Sequence, residues 1–162
     1  MSKKEKLAYL AGLLDGEGSV SIRRVYNRAK SPSGDKIYYV AEMRIYNTDK
    51  RMIDWIQANF GGAVYQQKAQ SLTRRTLYRW DCPTVTENLS IMKQLRPYTI
   101  TKSALIDCAI PILELQSHGM GIRRTLSEKI AGAGEAAMQK INEIKLSVSH
   151  RGMRPKVAKV VS

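Results

Sequence analysis

Leu10-Ala11-Gly12-Leu13-Leu14-Asp15-Gly16-Glu17-Gly18-Ser19 compresses a helix, two small-residue contact points, an acidic end and the start of a strand into ten positions. Lys6 to Gly16 reads as a helix, because Leu7, Leu10, Leu13 and Leu14 recur at helical spacing. A second stripe carries Ala8, Gly12 and Gly16, each four residues apart. Glycine inside a helix costs about 1 kcal/mol relative to alanine. Two on one face need a reason, and close approach of another backbone supplies one, since the side chains at a contact set the interaxial distance.

The acidic end is the odder feature. Asp15 and Glu17 sit at the helix C-terminus, where the macrodipole is already negative. If two such helices pack through their glycine stripes, two Glu17 side chains meet, and like charges that close are costly. A hard divalent cation with oxygen ligands relieves both problems. The alternative is an ordinary helix end, with Gly16 or Gly18 as its left-handed residue and the acids solvated. Physics leaves both readings open.

Downstream, Ser19–Asn27 begins with strand alternation: Val20 and Ile22 on one side, Ser19, Ser21 and Arg23 on the other. Residues 28–36 form a basic, turn-rich loop. Ile37–Asn47 is a second strand, with Tyr39, Ala41, Met43 and Ile45 on its apolar face and Tyr38, Val40, Glu42 and Arg44 opposite. Thr48 and Asp49 offer a choice of N-cap for a helix that buries Met52, Ile53, Ile56 and Phe60 and stops at Gly61-Gly62. Ala63–Lys68 and Thr73–Asp81 make a second hairpin. Pro83 suits the first turn of a helix running to Leu95, which Pro97 ends. Thr101–Gln116 is a further helix in which Pro111 should introduce a kink. Arg123–Ser147 is helical, with Gly132 and Gly134 as points of division, and a basic tail occupies 150–162.

The length, 162 residues, suits one domain with enough chain to bury a core. Lys and Arg number 27 against 14 acids, a formal charge of +13, which points to a polyanionic partner. Cys82 and Cys108 have no metal-ligand spacing and read as reduced packing residues of an intracellular protein. No apolar run approaches the ~18 residues of a membrane span, so no membrane partner is expected.

Leu10, Ala11, Gly12, Asp15, Gly16, the acid at 17 and Gly18 resemble the signature of the LAGLIDADG homing endonucleases. The order α-β-β-α-β-β-α followed by extra helices resembles that family's core over residues 5–115. The resemblance implies an α+β fold whose curved four-stranded antiparallel sheet forms a DNA-binding saddle. With one copy of the signature, it also implies a homodimer joined through this helix, with Ala8, Ala11, Gly12 and Asp15 at the interface. The metal would be held by Glu17 and the Gly16 carbonyl. Most relatives carry Asp where this chain has Glu17, and both acids occur in the family.

Further site residues follow by the same resemblance. Asn47 matches a polar position that helps order metal-bound water, although helix capping explains it equally well. Lys102 follows a Pro-aromatic step (Pro97-Tyr98), resembling a family lysine that organises solvent and stabilises charge on the phosphate. Arg51 is a further candidate participant.

A sheet with helices on one face leaves the other solvated. The candidate DNA-binding positions there and at the hairpin tips are Ser19, Ser21, Arg23, Asn27, Arg28, Lys30, Lys36, Tyr38, Glu42, Arg44, Tyr65, Gln67, Lys68, Arg74, Arg75 and Arg79. Arg and Gln read base edges well, and β-ribbons fit the major groove. A strand of about ten residues spans about 33 Å, or about ten base pairs at roughly 3.4 Å per step. Two subunits would then cover about twenty, as an approximate palindrome.

The expected activity is therefore a metal-dependent double-strand break in duplex DNA, using Mg2+ or Mn2+, with Ca2+ supporting binding without cleavage. The resemblance also implies an intron-encoded protein of an organelle or a prokaryotic cytoplasm. Two rivals use the same scaffold: an RNA-binding intron maturase and a DNA-binding regulator that does not cut. The presence of Glu17 and Lys102 speaks against a purely binding role.

Overall fold

The computed structural model describes residues 1–27, 36–67, 75–118 and 125–151. Among these residues five helices pack on one side of a four-stranded antiparallel sheet: α1 (Lys3–Glu17), β1 (Gly18–Asn27), β2 (Lys36–Asn47), α2 (Lys50–Phe60), β3 (Ala63–Gln67), β4 (Leu77–Asp81), α3 (Val85–Leu95), α4 (Ser103–His118) and α5 (Thr125–Arg151). The strand order is β1-β2-β4-β3, so the two long strands lie on one side and the two short ones on the other. Among the described residues no helix is long and apolar enough to cross a membrane.

The hydrophobic period sets the layers. Val20, Ile22, Tyr39, Ala41, Met43, Ile45 and Trp80 point from the sheet into the helices. Leu10, Leu14, Ile53, Ile56, Met92, Leu95, Ile106, Ile112 and Leu113 meet them from the other side. Arg44 pairs with Asp81, and Ser19 with Arg44, so side chains of opposite parity share the outer face in rows across the strands.

Helix ends differ from expectation in physically simple ways. α1 begins at Lys3 rather than Lys6, because Ser2 and Glu5 form a reciprocal capping box. It runs to Glu17 and passes directly into β1, with Gly18 at φ −99°, so neither Gly16 nor Gly18 is a left-handed cap. Positive φ belongs instead to Gly61 (70°) and Gly62 (91°), where Trp80 Nε1 donates to the Gly61 carbonyl. A Cβ on Gly62 would stand 2.5 Å from the Trp80 indole. Asp49, not Thr48, caps α2. Thr84 caps α3 with Glu87 in a second capping box, so Pro83 precedes the helix instead of occupying its first turn. β4 starts at Leu77, and Arg75 and Thr76 lie just before it. Pro111 lies inside α4.

α5 is one uninterrupted helix through both glycines, contrary to the expected division. Gly134 presses against the ring of Tyr39, where a Cβ would fall 2.3 Å from Cγ. One residue on, the Glu135 carboxylate accepts the Tyr39 hydroxyl and, at 2.8 Å, Arg24 Nη2. These contacts pin the helix to β1 and β2 from behind.

β2 extends beyond the end of β4, and side-chain amides continue the ladder there. Asn88 Nδ2 donates to the Ala41 carbonyl at 3.1 Å, and Gln116 Nε2 donates to the Tyr39 carbonyl.

Candidate functional site

The two acids that close the signature helix have separate fates. Asp15 turns inward. Its Oδ2 accepts the Ile100 N–H at 2.7 Å, and its Oδ1 accepts the Lys102 N–H at 2.9 Å and the Thr101 hydroxyl at 3.0 Å. A run of donors just before a helix is an anion cradle, and here it leads into α4. Burial works to raise the Asp15 carboxyl, but these hydrogen bonds overcome it and hold the group below its ordinary value. Glu17 turns outward. It is exposed, and no hydrogen bond or ion pair engages it among the described residues. The sequence reading placed Asp15 on the dimer interface; its carboxylate is instead committed within its own chain.

The same Asp15 contact brings Lys102 to the end of α1. Lys102 has a neighbour the sequence did not disclose: Lys145 of α5, whose ammonium is pushed below its ordinary value by burial and by the charge of Lys102. No local pattern marks Lys145, which lies 43 positions from Lys102 along the chain.

Asn47 ends β2, and its Oδ1 accepts the Asp49 N–H at 2.7 Å, an Asx turn that leads into α2. Its amide NH2 has no partner among the described residues. Arg51 forks onto Asp49 at 3.0 and 2.6 Å and remains 91% exposed. That pairing lowers the Asp49 carboxyl and raises the Arg51 guanidinium.

The outward face of α1 is bare. Ala8, Gly12 and Gly16 are all exposed, and a Cβ added at Gly12 or Gly16 meets nothing within 4 Å. Tyr9 borders them, 45% exposed. Ala11 does not belong to this face: it is fully buried in the core of its own chain, because it continues the Leu7–Leu14 stripe at helical spacing.

The outer face of the sheet carries Ser19, Ser21, Arg23, Glu42, Arg44, Tyr65, Gln67 and Arg79 on the side opposite the core, as the alternation predicts. Arg75 is exposed beside β4. Asn27, Lys36 and Tyr38 have strand positions in the β1–β2 ladder. Arg28, Lys30, Lys68 and Arg74 lie outside the described residues.

Asp81, which the sequence reading omitted, completes this face. Arg23 Nε and Nη2 donate to Glu42 Oε1 at 3.1 and 2.8 Å. Glu42 Oε2 lies 2.9 Å from Arg44, whose Nε is 3.5 Å from Asp81 Oδ1; Arg79 Nε lies 2.7 Å from the same oxygen. The Arg79 guanidinium covers the Tyr65 ring at 4.4 Å. Strand parity would have found Asp81, since it lies two residues beyond Arg79.

Among the described residues no three His, Cys, Asp or Glu side chains gather as a metal-binding group. What one chain offers is a pair of hard oxygen donors, the free Glu17 carboxylate and the carbonyl of Gly16 in the last turn of α1, where a helix has no further amide to engage. Mg2+ accepts such a sparse protein set and fills its remaining positions with water and phosphate oxygen. The residues therefore fit a divalent ion, with completion from outside the chain.

No protein-family model matches the sequence, and a search of curated proteins finds no match. Solved structures match in fold. The homing endonuclease I-CvuI, in complex with its target in the presence of Ca, is 15% identical over 88% of this chain and 96% of its own, with a TM-score of 0.57. The archaeal intron-encoded homing endonuclease I-Vdi141I, complexed with DNA, is 16% identical over 90% of this chain and 99% of its own, with a TM-score of 0.57. The LAGLIDADG homing endonuclease I-SmaMI, bound to cleaved DNA, is 18% identical over 96% of this chain, which spans 52% of I-SmaMI, with a TM-score of 0.60. The fold of this chain is the LAGLIDADG homing-endonuclease fold.

Proposed function

We propose that the chain is a site-specific DNA endonuclease that acts as a homodimer and makes a metal-dependent double-strand break in a duplex target of about 20 base pairs. One observation carries the reading. The signature helix spends Asp15 on its own fold and leaves Glu17 unengaged at the same end. An exposed carboxylate at the negative end of a helix is unfavourable, so its presence there favours a cationic role. The bare Ala8–Gly12–Gly16 stripe on that helix suits a second copy. The arginine-bearing sheet face, at a formal chain charge of +13, suits a duplex. Solved structures sharing this fold include I-CvuI with its target in the presence of Ca and I-SmaMI bound to uncleaved target with calcium ions.

In this reading the Glu17 carboxylate and the Gly16 carbonyl would hold a divalent ion such as Mg2+, which would supply charge neutralisation and a more acidic water. Lys102, fixed to the end of α1 through its own backbone, presents its ammonium to the phosphate and stabilises the charge that grows there. Asn47 keeps its amide NH2 free to orient water while its oxygen holds the turn into α2. The two-fold axis of the dimer gives each strand one Glu17.

The test is a cleavage selection on a randomised library of inverted-repeat duplexes, with Mg2+ and separately with Ca2+, followed by sequencing of the cut ends. Cuts at one recurrent motif with Mg2+ alone, lost in Glu17→Gln while binding persists, are expected. Enrichment of bound but uncut duplex under both ions would overturn cleavage in favour of a regulator. A Glu17→Gln protein that still cuts would remove the assigned role of Glu17.

A further inference from the structure

The sheet face that the proposed function assigns to DNA is already occupied, by itself. Arg23, Arg44 and Arg79 are joined through Glu42 and Asp81 into one array that runs across β1, β2 and β4. The acids are the more covered members on average, with side chains 13% and 22% exposed against 56%, 25% and 22% for the arginines. Three positive and two negative groups leave a net of one. Beyond the Arg23–Glu42 hydrogen bonds the array is poorly hydrogen-bonded: Glu42 Oε2, Arg44 Nε, Arg79 Nε and Asp81 Oδ1 are shielded from water and lie within ion-pair distance without hydrogen-bond alignment. Buried polar atoms left in that state are costly. A partner that replaces these contacts with directional ones is correspondingly favoured.

A phosphate backbone cannot be that partner. It offers acceptors to the arginines and only repulsion to the two carboxylates. A base pair can satisfy both. In the major groove guanine presents O6 and N7, the acceptors an arginine grips with two bonds, and its paired cytosine presents the N4 amine, which a carboxylate accepts. An A·T pair offers the carboxylate adenine N6, but neither of its bases presents two adjacent acceptors for an arginine as guanine does.

We infer that Glu42 and Asp81 are specificity determinants: they hold Arg23, Arg44 and Arg79 back from generic phosphate and tune this part of the sheet to G·C base pairs. The inference rests on the duplex-binding reading above. Removing one acid frees an arginine for phosphate. One added phosphate contact steepens the salt dependence by about 0.9 in log–log slope, which corresponds to about eightfold tighter binding at 0.1 M salt.

The test uses the full chain with Glu42→Gln and Asp81→Asn, each keeping the shape and removing one charge. Asp54→Asn is the control, since it makes the same charge change on α2, where Asp54 pairs with Lys50. Two readouts are needed: affinity for a random-sequence 30-base-pair duplex across a salt series, and the base composition of duplexes retained from a randomised library. The expected result is binding of random duplex several-fold tighter and a steeper slope for either array variant, loss of G·C enrichment at the affected positions, and no such change for Asp54→Asn. Each variant is melted alongside the parent, and a folded one of the two suffices to decide. Array variants that bind random duplex no better than the parent and keep its base preferences would overturn the inference while leaving the endonuclease reading intact. A parent chain that binds no duplex at all would overturn both.

Discussion

Asp15 Oδ1 accepts the backbone N–H of Lys102 at 2.9 Å, across 87 residues of chain. The last turn of the signature helix and the start of α4 are thereby one rigid unit. Lys102 is held through its main chain, and its side chain takes no part in that contact. Glu17, two residues past Asp15, is left outward. A single carboxylate thus ties together the two groups proposed above to act on the phosphate.

Asp15→Ala should cost about 1–2 kcal/mol, the range for losing a helix-capping acid with several donors. The amides and hydroxyl around Asp15 hold its carboxyl below the ordinary value of 3.8. A depressed folded-state value means that the contribution is complete well above that pH and drains away as pH falls through the lower folded value. Denaturant midpoints of parent and variant should differ at pH 7 and converge in acid. A gap that is constant with pH would show that the lost term is packing instead of charge.

Gly12→Leu should leave the monomer fold untouched and abolish the dimer. Space around Gly12 is open within the chain, so nothing in the monomer opposes a larger side chain, whereas a second helix packed there must move away. Sedimentation velocity at micromolar concentration, read beside the circular dichroism spectrum, checks this. An intact Gly12→Leu dimer would place the interface elsewhere.

The layers of the fold were legible because they depend on short-range periodicity. Ile53 and Ile56 announce the buried side of α2, and Tyr39 to Ile45 the inner side of β2. The division of labour between Asp15 and Glu17 was not legible. Residues two apart on a helix point about 200° apart, so the pattern says that they diverge but not which one meets the segment leading into α4, which begins 85 residues on at Ile100. The resemblance put Ala11 at the interface, whereas its spacing from Leu7 and Leu14 marks it as core, where it is fully buried. Lys145 reaches its place through the packing of α5, which depends on Gly134 and Tyr39, a contact with no signature in either local segment.

The two glycines of α5 should respond oppositely to alanine. Gly132 has open space, and Gly132→Ala should stabilise by up to about 1 kcal/mol through helix propensity. At Gly134 the new Cβ would strike the Tyr39 ring, and overpacking of about 1–3 kcal/mol should outweigh the same gain. Paired denaturation curves decide it; equal shifts in one direction would mean that α5 does not press on Tyr39.

Burial, seconded by the Glu87 carboxylate, pushes the Cys82 thiol up to about 12. Since the thiolate is the reacting form, Cys82 should alkylate at pH 8 on the order of a thousandfold more slowly than a free cysteine. Burial also raises Cys108. Mass spectrometry after brief iodoacetamide treatment should find the native chain unlabelled and the denatured chain labelled twice. Rapid native labelling at Cys82 would show that the β4–α3 junction opens.

The amides of Asn88 and Gln116 have a colloidal consequence. A strand that outruns its neighbour exposes a row of backbone acceptors, the template on which chains stack edge to edge. By capping the Ala41 and Tyr39 carbonyls from the helical layer, these two side chains close that edge without adding a strand. Self-association through β2 is thereby disfavoured, and the bare flank of α1 stays open for the second copy proposed above.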